Sequence, residues 1–173
     1  MPRLSLIDDT QYPDLKPVAD RIRAERGGKL LALYRVLLNS PKVAEAWLQY
    51  FTVIRQQCDL PARDRELAIM RIARINGARY EFDQHIPFAL KSGLTQAQLD
   101  AIESWRASTL FDSREQAVLA YTDAMTRQVK VPDEVFAQVR AHFDDKSLLE
   151  LTTTIAGYNM VSRVLEAMEI HHE

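Results

Sequence analysis

"RINGARYEFDQH", Arg74 to His85, is the stretch on which the reading of the fold turns. Asn76-Gly77 interrupts two apolar segments, and a carboxylate and an imidazole, Glu81 and His85, stand one turn apart just past the break. Glycine enters the left-handed conformation that closes a helix without a Cβ penalty, so Gly77 is an expected stop. Upstream, apolar residues at three- and four-residue spacing predict a helix over Arg63 to Asn76. Downstream, a second helix is expected from Ala78 to Ser92, ended by Gly93.

Further out the same pattern repeats. A first helix is expected from near Pro17 to Gly27-Gly28, and a second over Lys29 to Leu38. Ser40 is a candidate cap with Pro41 in the first helical position, opening a third helix to about Gln57. Thr95 with Gln98, and Ser113 with Gln116, read as capping boxes starting two more. Pro132 and Asp133 open another, and a long helix closes the chain over Lys146 to Met168. No long period-2 stretch bounded by turns is present, which points to a single all-α domain, with N-terminal helices over about 15–57 and a core over about 61–168.

Composition narrows the function classes. The 173 residues suit one domain, with 47% hydrophobic and 27% charged residues, an ordinary globular balance. Net charge is −2, from 22 basic and 24 acidic residues with no basic arm, so neither nucleic acid nor an anionic membrane is an expected partner. The N-terminus lacks the apolar core of a signal peptide, and no run reaches the length of a membrane span. One cysteine, Cys58, excludes an internal disulfide and fits a cytoplasmic location.

Placed at about 100° per residue, Glu66 falls between Met70 on one side and Ile69 and Ala73 on the other. A carboxylate there is costly unless it is protonated, paired or hydrogen-bonded. It is either a proton-transfer group or one half of a salt bridge to Arg63, Arg74 or a neighbouring helix. Glu81 and His85 share a helix face, as a catalytic pair or as a surface pair worth a few tenths of a kcal/mol. Pro87 cannot donate to the carbonyl of Asp83, so a bend is expected just after His85. A metal bound by Glu66, Glu81 and His85, or by the terminal "HHE", is the weaker alternative, since no His/Cys cluster has structural-zinc spacing. Trp47, Tyr50 and Phe51 read as core or subunit contacts.

"RDRELAIMRIARINGARYEFDQHIPFALKSGLT", Arg63 to Thr95, resembles the signature helix pair of the carboxymuconolactone decarboxylase family, which includes the alkyl hydroperoxidase D-like proteins. "LLELTTTIAGYNMVSRVLEAM", Leu148 to Met168, resembles its closing helix, and the likeness covers about Pro61 to Met168. The resemblance implies an alkyl hydroperoxidase D-like helical bundle and a closed homo-oligomer: a trimer, hexamer or dimer. In the hydroperoxidase branch it implies a Cys-x-x-Cys pair, a trailing histidine and a relay glutamate. Glu66 and His85 match the last two, but Ala78 and Glu81 occupy the cysteine positions. A dithiol–disulfide cycle needs two thiols, so the peroxiredoxin activity associated with the family lacks its chemistry here.

The decarboxylase branch, as the resemblance implies, acts without a cofactor on a small carboxylated lactone. On that reading His85 donates or shuttles the proton, Glu81 orients it and Glu66 is a second relay group. Tyr80, Tyr158 and Asn159 are candidate substrate contacts. An arginine is expected to hold a substrate carboxylate, with Arg63, Arg71, Arg74 and Arg79 nearby and Arg74 as the candidate. The competing readings are peroxide chemistry and a non-catalytic oligomeric binding protein.

Overall fold

A computed structural model of the chain describes residues 2–171. Among them every regular element is helical: α1 Lys16–Glu25, α2 Ala32–Leu37, α3 Pro41–Thr52, α4 Ala62–Asn76, α5 Arg79–Lys91, α6 Gln96–Ala101, α7 Ser113–Gln128, α8 Asp133–Arg140 and α9 Asp145–Ala167. Two compact units divide the chain, one of Met1–Cys58 with Leu165–Glu173, the other of Asp59–Val164. Of the terminal "HHE", His172 and Glu173 lie outside the described residues.

In the first unit α3 packs against α1 and α2. Ala44, Trp47, Leu48 and Phe51 recur at helical spacing and form its buried face, with the Trp47 and Phe51 rings 5.0 Å apart. Tyr50 lies off that face, 37% exposed. Ser40 precedes the helix as expected, but its side chain makes no capping hydrogen bond. The helix ends at Thr52 rather than near Gln57, because Val53–Gln57 widens into a π turn in which the Cys58 amide donates to the Val53 carbonyl at 3.1 Å. Arg23 clasps the buried Asp9 with two hydrogen bonds, of 2.6 and 3.0 Å. Those bonds hold the Asp9 carboxyl below the usual carboxylate range against the opposing effect of burial.

In the second unit α4 is the central element, packed against α5, α7 and the 3₁₀ segment Ile102–Ala107. Its residues Glu66 to Ala73 are all buried, as expected of a helix that is apolar over most of its circumference. Three ion pairs join α4 to α7: Arg63 to Glu115, Asp64 to Arg114 and Arg71 to Asp123. Gly77 closes α4 in the left-handed region, at φ 69° and ψ 15°, and α5 starts two residues later. Pro87 lies inside α5, which continues through it to Lys91. Thr95 and Gln98 form the expected capping box of α6. On α7 the box is Asp112 with Glu115, one residue before the expected Ser113 and Gln116, whose amide instead donates to the Phe111 carbonyl at 2.8 Å.

Candidate functional site

The Gly77 turn brings α5 back along α4, and this sets Glu66 against His85. Glu66 Oε2 lies 2.8 Å from His85 Nδ1, with both residues buried. An ionised carboxylate only accepts, so a ring facing it donates from Nδ1 and leaves Nε2 as its second proton-exchanging position. The Arg65 Nε donates to the other Glu66 oxygen at 3.3 Å. Tyr158, from α9, sets its ring edge-to-face with the imidazole, centroids 5.2 Å apart, and Phe88 flanks it at 5.8 Å. The imidazole thus sits between a carboxylate and aromatic faces, which is an orientation device as well as an electrostatic one.

Glu81 is buried too, and its Oε2 accepts from the Ser162 hydroxyl at 2.7 Å. The sequence assigned ring orientation to Glu81 and a secondary relay to Glu66. In the structure the bond to His85 Nδ1 comes from Glu66, because a partner across the helix pair can point straight at the ring. The i,i+4 neighbour instead reaches across to α9.

The remaining candidates separate. Tyr80 is buried on α5. Arg74 lies eight residues beyond Glu66, about 12 Å along the helix, with its guanidinium 3.9 Å above the Phe82 ring. Arg63 is committed to Glu115, Gln98 and the Gly93 carbonyl, Arg71 to Asp123, and the 89% exposed Arg79 approaches Asp83 at 3.5 Å. Asn159 is a structural junction. Its Nδ2 donates to Thr126 Oγ1 and the Ile155 carbonyl, each at 3.0 Å, and its Oδ1 accepts from Asn76 and Arg163. No group of three His, Cys, Asp or Glu side chains among the described residues is placed to hold a metal ion.

Residues 41–124 match the model of the carboxymuconolactone decarboxylase family, a span that contains Glu66, Glu81 and His85. That span, just under half of the chain, is of the carboxymuconolactone decarboxylase family. The match begins at α3, earlier than Pro61, and does not reach the closing helix. YdfG of Bacillus subtilis, an uncharacterized protein, is 28% identical over 115 residues, covering 65% of this chain and 78% of its own. A protein of unknown function from Agrobacterium tumefaciens, provisionally described as the antioxidant defence protein AhpD, superposes with a TM-score of 0.74 at 26% identity. That superposition spans 79% of this chain and 94% of the other. The debrominase Bmp8, in complex with 2,3,4-tribromopyrrole, shares the fold at a TM-score of 0.82 and 19% identity, over 100% and 94% of the two chains. The fold is therefore the all-α, alkyl hydroperoxidase D-like one, and the family and its structural neighbours include enzymes.

Ser162, Arg65 and the partners of Asn159 went unnoticed in the sequence. Ser162 had no available signal, since it lies 81 residues from the carboxylate it serves.

Proposed function

We propose that the chain is an enzyme of cofactor-free acid–base catalysis on a small carboxylated or lactone-like compound, in a decarboxylation or a related lyase or isomerase step. The observation that carries this reading is the 2.8 Å contact between buried Glu66 and His85. Glu66 holds the ring through Nδ1 and stabilises the imidazolium, while His85 exchanges the proton through Nε2. When CO₂ leaves a carbon conjugated to an unsaturated lactone, its electron pair stays in the conjugated system and the carbon must be protonated. His85 supplies that proton and recovers one from water. Glu81, fixed by Ser162, lines the same helix face as His85 and adds a second carboxyl.

The competing peroxidase reading needs two thiols, and Ala78 and Glu81 stand where the resemblance places them. Cys58, half-buried, is the single cysteine of the chain.

The test is CO₂ release from a panel of unsaturated lactone acids and keto acids, measured for the wild type, His85→Gln and Glu66→Gln. Loss of the proton carrier is expected to lower kcat by about 10²–10⁴-fold, and Glu66→Gln by less, with KM little changed. Turnover unaltered in His85→Gln overturns the assignment. Turnover with an organic hydroperoxide that disappears in Cys58→Ser would restore the redox reading.

A further inference from the structure

On another face of α4 the second unit contains a cavity of about 340 Å³, within the range that small-molecule sites occupy. Arg71 stands five residues after Glu66, about 140° around the helix, so the cavity and the Glu66–His85 pair lie on different faces of α4. Three guanidinium groups, those of Arg71, Arg106 and Arg127, line the cavity beside a single carboxylate, Asp123.

That carboxylate is already saturated. Its Oδ1 accepts from Arg71 Nε at 2.6 Å, and its Oδ2 accepts from Arg71 Nη2 at 3.1 Å, Trp105 Nε1 at 3.2 Å and Arg106 Nη2 at 3.4 Å. Arg71 is committed as well, since its Nη1 donates to the carbonyls of Ile102 and Glu103. Arg71 and Asp123 cancel, and the formal charge of +2 left over belongs to Arg106 and Arg127. Arg106 is 66% exposed yet oriented, with its guanidinium 4.2 Å above the Trp105 ring. Arg127 forms no ion pair among the described residues, and its place in the last turn of α7 favours a cation there whatever the cavity binds.

Helix-end electrostatics do not account for the backbone just past Arg127. Val129 is held at φ 65° and ψ −51°, with the Lys130 amide donating to the Gln128 carbonyl at 2.7 Å. This is the strained form of the γ-turn, built on a β-branched residue that avoids positive φ. Strain of that kind persists where surrounding structure imposes it, and it gathers at ligand sites. Here it shapes the rim, for Gln128 lies on one side of the turn and Pro132 on the other, and both line the cavity. Ala124 and Val135 add apolar wall.

We infer that this cavity is a binding site for a small organic carboxylate, separate from the Glu66–His85 centre. Arg106 and Arg127 take the carboxylate and the alanine–valine wall takes its hydrocarbon body. The inference does not depend on the proposed catalytic activity.

Isothermal titration with benzoate tests it, using benzyl alcohol as the neutral counterpart and inorganic phosphate as the anion without a hydrocarbon body. Benzoate is expected to bind the wild type and the His85→Gln variant equally. Binding should weaken about tenfold in Arg106→Gln and in Arg127→Gln, vanish in the double variant, and fall with added salt. Both arginines are exposed, so melting temperatures should change little. Benzyl alcohol should not bind. The inference is overturned if millimolar benzoate gives no heat, if the double variant binds as well as the wild type, or if His85→Gln abolishes binding. Phosphate binding through both arginines without benzoate binding also overturns it, since the apolar wall then plays no part.

Discussion

Asn159 uses every hydrogen-bonding position its side-chain amide has. Two donors go to Thr126 and the Ile155 carbonyl, and the oxygen takes Asn76 and Arg163, which ties the end of α4 and the last turns of α7 to α9. A buried amide so satisfied is costly to remove because the buried Thr126 hydroxyl and Ile155 carbonyl lose a partner they cannot replace from solvent. Asn159→Ala is expected to lower unfolding stability by about 2 kcal/mol, read from denaturant midpoints at unchanged slope. A change within a few tenths would mean that the junction is solvated. Glu66 and His85 were legible because the Gly77 break, the buried arc and the family pattern all pointed to them. Which carboxylate meets the ring was not legible, since spacing along one helix cannot see a residue on its neighbour. The i,i+4 rule names Glu81 as a face-mate of His85, whereas the separation of α4 from α5 lets Glu66 reach Nδ1 at 2.8 Å.

Helices here end where backbone chemistry allows little else. Gly77 sits at φ 69° with open space where a Cβ would be, so a substitution meets no clash and its cost is purely conformational. Gly77→Ala should therefore destabilise by about 1 kcal/mol, with Gly77→Asn costing less because asparagine tolerates the left-handed region. Equal stabilities across glycine, alanine and asparagine in thermal unfolding would remove the conformational account. Gly77 and Gly93 were readable as stops for this reason, and Thr95 with Gln98 as a box. Asp112 with Glu115 was missed because Ser113 with Gln116 fits the same spacing one residue later. What decides between them is tertiary: Glu115 also holds Arg63 at 2.6 Å, which fixes its carboxylate over the Asp112 amide, whereas Gln116 turns to a carbonyl behind it. The π turn at Val53–Gln57 left no mark in the periodicity, because one extra residue per turn changes the register without changing the residue types.

Across the whole chain charge is distributed as local pairs, and the two units carry it differently. In the second unit the pairs Arg63–Glu115, Asp64–Arg114 and Arg71–Asp123 stitch α4 to α7 with alternating sense, a pattern that specifies register even where net stabilisation is small. In the first unit acids dominate the pH response. Asp9 is held low by Arg23, Asp20 by Lys16 and Arg23, and Asp8 by hydrogen bonds from Thr10. Asp144, in the second unit, is held low by Ser147. Each folded pKa lies below its unfolded value, so the stability it contributes is fully present above about pH 4 and is lost as pH falls through the folded value. Asp9 is the buried one of these, so its share should be the largest. Asp9→Asn is expected to be less stable than the wild type at pH 7 and to converge with it at the acid end, giving a flatter stability curve below pH 4. A constant difference between the two proteins from pH 7 to pH 2 would show that the Asp9 carboxyl titrates alike folded and unfolded, and that the clasp contributes no charge.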